Sequence, residues 1–330
     1  MWVVENKTPF DAVGTFTRNQ VGAEVWVVAV KGTFTVAEDG SVTVADRQEP
    51  VCRAPVYTGE PGHSSMKYDV DLISGKPATD VIMHANATAP GGKPVKKLDV
   101  WMRVGGVQKR FRVTGDHHWR RGIFTSKTPV QPFVRIPIVY ERAFGGCDLR
   151  HKKSKKQGYE ARNPVGTGYV RVASHRKEMQ VPNICFQGKK QRRAEPAGFG
   201  PISAHWEPRA SFMGTCDEAW AKNRKPLLPE DFDSRYYQQA PADQQAEGYL
   251  QGGEPVTLVN VSQSGRLRFN LPEVKPRCAT LIGNDVVDHD INLYTVILEP
   301  EESRLMMVWH CAFECHNREH LLERSIVRMK

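Results

Sequence analysis

No apolar run in this chain approaches the roughly 20 residues that a membrane helix needs; the longer ones, such as Val25–Val30, stop far short of it. Residues 1–20 carry Glu5, Lys7, Asp11 and Arg18 and lack the apolar centre of a secretory signal, so a cytoplasmic address is expected. No CxxC occurs among the seven cysteines, and seven is an odd number. That argues against a disulfide scaffold, and free, partly buried thiols are expected. GxSxG, P-loop and HExxH patterns are absent, which removes the commonest hydrolase, nucleotide and zinc-protease signatures. No repeat of fixed period is visible, so the sequence does not read as a solenoid or propeller array.

Hydrophobic residues make up 40% of the 330 and charged residues 25%, the balance of a globular chain long enough to bury its own core. The formal net charge of +9 is unevenly spread. Residues 1–147 hold 19 Lys/Arg against 14 Asp/Glu, residues 148–193 hold 13 against 3, and residues 194–330 hold 14 against 20. The basicity thus belongs to one central segment. That segment is poor in apolar residues, and it is expected to form a surface excursion that no core could bury.

The rest of the pattern is β. Glu24–Val36 (EVWVVAVKGTFTV) is rich in β-branched and aromatic residues and predicts a strand. Asp39-Gly40 predicts a hairpin turn between Thr33–Val36 and Val42–Val44. Lys97–Val104 and Val107–Val113 flank Gly105-Gly106, a second hairpin signal. Val107, Lys109, Phe111 and Val113 then share one face of its second arm. Further strands are expected within Met66–Leu72, Asp80–Ala87, Val256–Val261, Gly265–Leu271, Asn292–Leu298 and Arg304–Phe313. Helices are expected to be few and short. One falls at Thr215–Arg224, with Thr215 as N-cap and Glu218 as its capping-box partner, and another near Asp231–Gln239. A third, Asn317–Lys330, would put Leu321, Leu322 and Ile326 on one side. The expected fold is mostly β: packed antiparallel sheets, sandwich-like, with a long loop-rich middle segment. Its expected parts are a β-rich region at 1–145, a loop-rich basic stretch with short helices at 146–250, and a β-rich region at 251–330 packing on the first as one composite domain.

Candidate chemistry is thin. His310, Cys311, Cys315, His316 and His320 are metal-type ligands, but a zinc site needs four that converge. On a strand Cys311 and Cys315 share one face while His310 and His316 share the other, so core thiols are expected and no bound metal. His117 and His118 are adjacent and point opposite ways on extended backbone. Asp285, Asp288, His289 and Asp290 lack the glycine and distant Glu of a calcium loop and read as a polar loop. No cofactor and no catalytic residue is expected. The run Arg150, Lys152, Lys153, Lys155, Lys156, with Arg192 and Arg193 further on, could neutralise phosphates, steer an acidic protein partner, or be a solvated loop.

Several motifs carry no catalytic logic but recur in a definite order. They are NKTPF (Asn6–Phe10), VKGTF (Val30–Phe34), KPATDV (Lys76–Val81), YERAFGG (Tyr140–Gly146), NPVGTGY (Asn163–Tyr169) and PAGFGPI (Pro196–Ile202) with Trp206 and Arg209. GTCDEAW (Gly214–Trp220), LPEDFD (Leu228–Asp233) and GYLQGGE (Gly248–Glu254) with NLP (Asn270–Pro272) complete the series. In that order and spacing the chain resembles domain-of-unknown-function family 2169, over about residues 5–310. The resemblance implies a cytoplasmic accessory protein of bacterial type VI secretion, an adaptor or chaperone. Such a protein helps load a toxic effector, often one with a PAAR-like domain, onto the VgrG spike. It implies no catalytic residues.

An adaptor needs an interface, and aromatic and Arg anchors usually dominate interfaces. The candidates are Phe144, Tyr169, Phe199, Trp206 and Arg209, with Lys152, Lys153, Lys155 and Lys156 steering an acidic partner. No membrane contact is expected. Two other classes stay open: a nucleic-acid binder using the 148–193 charge, and an uncharacterised hydrolase built on the His117/His118 or Asp288/Asp290 regions.

Overall fold

The structure, a computed structural model, describes residues 2–120, 126–187 and 195–330. The β-rich expectation is met: strands take 40% of the chain and helical turns 11%. Glu24–Val36 is the longest strand, buried on both faces for most of its length, as its near-continuous β-branched and aromatic run requires. It lies between Asp11–Arg18 and Arg304–Glu314, and the sheet continues through Asn292–Glu299 to Asp80–Met83. Val42–Val44 folds back on its end through the predicted Asp39-Gly40 turn. Lys97–Val104 and Val107–Thr114 form the second hairpin, in register from Val104↔Val107 to Lys97↔Thr114. Val107, Lys109, Phe111 and Val113 are buried on one face while Gln108, Arg110 and Arg112 are exposed.

That hairpin pairs not with its neighbours in sequence but with Pro255–Val259 and Arg266–Asn270 on one side and Ile184–Cys185 on the other. A third sheet runs Val3–Lys7, Leu322–Met329, Pro276–Ile282, Asp285–His289. Strands from both ends of the chain therefore share two sheets. The pairs are antiparallel except Val3–Lys7 with Leu322–Met329 and Asp80–Met83 with Asn292–Glu299 among the longer strands. The three sheets close on one hydrophobic cluster, to which Val28, Met102, Phe111, Leu258, Leu298 and Val327 contribute from different sheets.

Three local expectations fail. The tail from Asn317 is not a helix: after the short turn Glu319–Leu321 it runs as the strand Leu322–Met329. Its Leu322, Ser325 and Val327 turn inward, and the gap between Val3–Lys7 and Pro276–Ile282 supplies hydrogen-bond partners on both sides. Tertiary pairing thus overrides a weak local preference. Asp285–His289, read as a polar loop, is an edge strand paired to Pro276–Ile282 across a Gly283–Asn284 turn. Its polar side chains suit an edge that faces water. The α-helix is shorter than predicted, Glu218–Asn223, and Asp217 caps it by accepting from the Trp220 N–H at 2.8 Å. Thr215 instead donates to Asp231 from both its backbone and its hydroxyl. Among the described residues no helix is long and apolar enough to cross a membrane.

Charged groups inside the body are paired. Lys31 meets Asp71 at 3.1 Å with both side chains buried. Lys76 meets Asp80 at 2.7 Å with both fully inside, and Asp80 also accepts from the Gln238 side chain and the Gln239 N–H. A buried carboxylate without such partners would cost several kcal/mol. The KPATDV motif is thus a buried ion pair that fastens residues 238–239 to the sheet edge.

Candidate functional site

The segment expected to be a surface excursion is mostly exposed or half-buried, and polar side chains stitch it to the body. Asn163, Asp148 and Asn183 are fully buried. Asn163 Nδ2 donates to the Tyr140 and Phe144 carbonyls at 2.8 and 3.0 Å. Asn183 Nδ2 donates to the Thr114 carbonyl and to Asp116. Asp148 accepts from His175, Arg150 and the Arg171 N–H. Burial alone would raise the Asp148 carboxyl, but these three donors outweigh it and hold it well below the usual carboxylate range. Hydrogen bonds from side chain to backbone do here what apolar burial does in the sheets.

The glycines of YERAFGG allow this closeness. Gly146 sits at φ +94°, and a Cβ there would lie 2.3 Å from the Gly166 carbonyl oxygen. Phe144–Gly145 thereby pairs in parallel with Thr167–Gly168, joining the AFGG and NPVGTGY motifs. PAGFGPI goes inside: Phe199 packs on Phe111 with ring centres 4.4 Å apart. Trp206 meets Tyr140 edge to face at 5.5 Å. These motifs hold the chain together across long sequence distances, the behaviour of a shared family framework. The chain belongs to a bacterial family described as uncharacterized protein conserved in bacteria (DUF2169), which it matches over residues 21–310. No curated protein and no solved structure matches the chain.

Within that framework the predicted anchors separate. Phe199, Trp206 and Arg209 are buried and are unavailable as surface anchors. Arg209 donates to the Tyr236 and Ile202 carbonyls and meets Asp69 at 2.6 Å, so its charge is spent inside the protein. Tyr169 is half-buried, its hydroxyl against Gly158. Phe144 is half-buried too, and it lines a cleft.

That cleft encloses about 90 Å³ and is walled by Trp119, Phe144, Val181, Pro182, Phe186 and Arg176. Trp119 is positioned by its N–H donating to the Met179 carbonyl and by a bridge to Lys127. Arg176 and Lys127 both stand over its ring, 5.1 and 4.7 Å from the centre. Burial pushes the Lys127 ammonium down, and the neighbouring Arg176 and Lys97 charges act the same way. Sequence reasoning missed this cleft because its walls come from four separated stretches. Phe144, already a candidate anchor, and the aromatic next to the His117-His118 pair were its visible signals.

The four lysines lie on the adjoining lobe. Lys152, Lys153, Lys155 and Lys156 are exposed, around the turn Ser154–Lys156. Arg171 donates to the Lys155 carbonyl at 3.4 Å and Arg150 to the His175 carbonyl at 2.7 Å, which ties the lobe to the residue beside Arg176. Arg150 and Arg162 have carboxylate partners, Asp148 and Glu160. Among the described residues the four lysines, Arg171, Arg176 and Lys177 form no ion pair. Arg192 and Arg193 lie outside the described residues.

The other candidate clusters disperse. His117 is buried with Nδ1 2.9 Å from the Gly115 carbonyl, while His118 is exposed. Cys311 and Cys315 are core thiols, and His310 stacks on Tyr294 at 4.6 Å. His289 stacks on Phe313 at 4.2 Å. Among the described residues no group of three or more His, Cys, Asp or Glu side chains could hold a metal ion.

Proposed function

We propose that this protein is a cytoplasmic adaptor of type VI secretion, which binds an effector and helps load it onto the VgrG spike. The motifs whose resemblance implies this role are those that build the framework of the fold. The observation that carries the reading is the pairing of an aromatic cleft with a lobe of seven cations that form no ion pair among the described residues. Cations held at a surface without internal carboxylates serve encounter with an anionic partner. The cleft supplies the apolar contact that such steering lacks. In this reading the protein works by binding, with no metal, cofactor or chemical step of its own. Its task is to cover an effector surface before firing and then release it.

The test is co-expression with the effector and spike encoded beside it, followed by affinity purification. Stoichiometric recovery of the effector, and of the spike only when the effector is present, is the expected result. Failure to recover either from cells that express all three overturns the adaptor role.

A further inference from the structure

We propose that the Trp119–Phe144 cleft takes a single apolar side chain from an extended acidic segment of a partner protein, with the surrounding cations engaging the flanking carboxylates. The inference rests on the adaptor reading and deepens it. The volume, about 90 Å³, is smaller than the ~150 Å³ of an apolar cavity that takes one benzene ring, so it suits one side chain and not a helix face. Its walls are aromatic and aliphatic. Its rim is basic: Arg176 and Lys127 crowd one ring and form no ion pair among the described residues, and an outside carboxylate would relieve that crowding. The carboxylate of the lining, Glu195, lies close enough to Arg162 to favour its charge. The lysine turn continues the positive rim, tethered through Arg171 and Arg150.

A nucleic acid would fit the charge but not the cleft. Single strands are held by bases stacked on open aromatic faces. Here two cations stand over the Trp119 ring, and Phe144 is half-buried within the cleft wall. The observations therefore favour an acidic peptide.

Cys185 lines the cleft and is exposed, which provides a reporter at the site; Cys216, exposed elsewhere, serves as the reference. The probe is a fluorescent twelve-residue Asp/Glu-rich peptide with one central Leu, titrated against the full chain. Binding is expected to slow maleimide labelling of Cys185 severalfold and leave Cys216 unchanged. Replacing the peptide's Leu by Ser should weaken binding about tenfold or more. In a Cys147→Ser/Cys216→Ser variant, which leaves Cys185 as the exposed thiol, prior alkylation with a bulky maleimide should abolish binding. Arg176→Glu should weaken binding about tenfold. The quadruple variant with Lys152, Lys153, Lys155 and Lys156 changed to Gln should associate about tenfold more slowly at low salt, with dissociation changed less than twofold.

Equal binding by the Leu and Ser peptides, or binding that leaves Cys185 unprotected, overturns the cleft assignment. So does an oligonucleotide of equal charge that binds more tightly and protects Cys185, or a self-associated protein that Cys185 alkylation dissociates. The adaptor role fails separately. If the effector still co-purifies with the alkylated protein, the cleft proposal falls and the adaptor role stands. If the peptide binds but no effector or spike is recovered, the reverse holds.

Discussion

Replacing Lys76 by Met should be among the most damaging single changes in this protein. Lys76 and Asp80 are 1% and 0% exposed, 2.7 Å apart. Met fills similar volume, so the loss is electrostatic. Removing one partner of a buried pair costs about 3–5 kcal/mol, because the other charge is left uncompensated. Asp80 keeps its bonds from Gln238 and Gln239, at 2.6 and 2.8 Å, which places the loss near the lower figure. Thr295 Oγ1 loses a donor as well. At about 2 °C per kcal/mol for a large domain, the midpoint should fall by roughly 6–10 °C. The assay is thermal and urea unfolding, each followed by tryptophan fluorescence and far-UV circular dichroism, with coincident transitions required. The double variant Lys76→Met/Asp80→Asn should recover at least about 1 kcal/mol of the single variant's loss, since it removes the stranded charge. A loss below about 1 kcal/mol for Lys76→Met, or strict additivity in the double variant, would refute the argument that this motif is an internal ion-pair clamp.

Trp206→Ala should cost about 3–5 kcal/mol of stability and act through folding, not through partner dissociation; a stable variant with altered binding would show that the tryptophan is not core. Gly146→Ala should destabilise by about 2 kcal/mol or more, because it strains left-handed backbone and drives a methyl into the Gly166 carbonyl; an unchanged urea midpoint would contradict this. Stability should also fall on acidification. Burial pushes His84 down to about 4, and burial with the Lys76 charge pushes His310 down to about 3. A depressed histidine stays neutral in the fold while the unfolded chain takes up its proton near 6.5, so stability is full above that pH and is lost toward pH 4. Between pH 7 and pH 5 each histidine accounts for about 2 kcal/mol. His310→Phe should remove about 2 kcal/mol of the fall measured by urea unfolding at the two pH values, and an unchanged pH dependence would refute it.

Strands that announce themselves by local pattern were legible in the sequence. The Asp39-Gly40 and Gly105-Gly106 turns, and the alternation from Val107 to Val113, depend only on neighbours in sequence, because turn geometry and side-chain period are local properties. The charge of the central segment was equally legible, since composition needs no coordinates. What composition could not show was that Asp148, Asn163 and Asn183 fold that segment by hydrogen bonds to distant backbone. Phe199, Trp206 and Arg209 were read as surface anchors and are buried instead, because an aromatic or an arginine has the same letter in a core and at an interface. Leu322–Met329 became a strand only because Val3–Lys7 and Pro276–Ile282 leave a gap of matching length between them. The cleft at Trp119 and Phe144 exists only where residues far apart in sequence meet. Sequence by itself determined the local turns, the β character and the place of the charge; the tertiary structure decided which residues are inside, because burial and pairing are set by contacts between segments that no local pattern records.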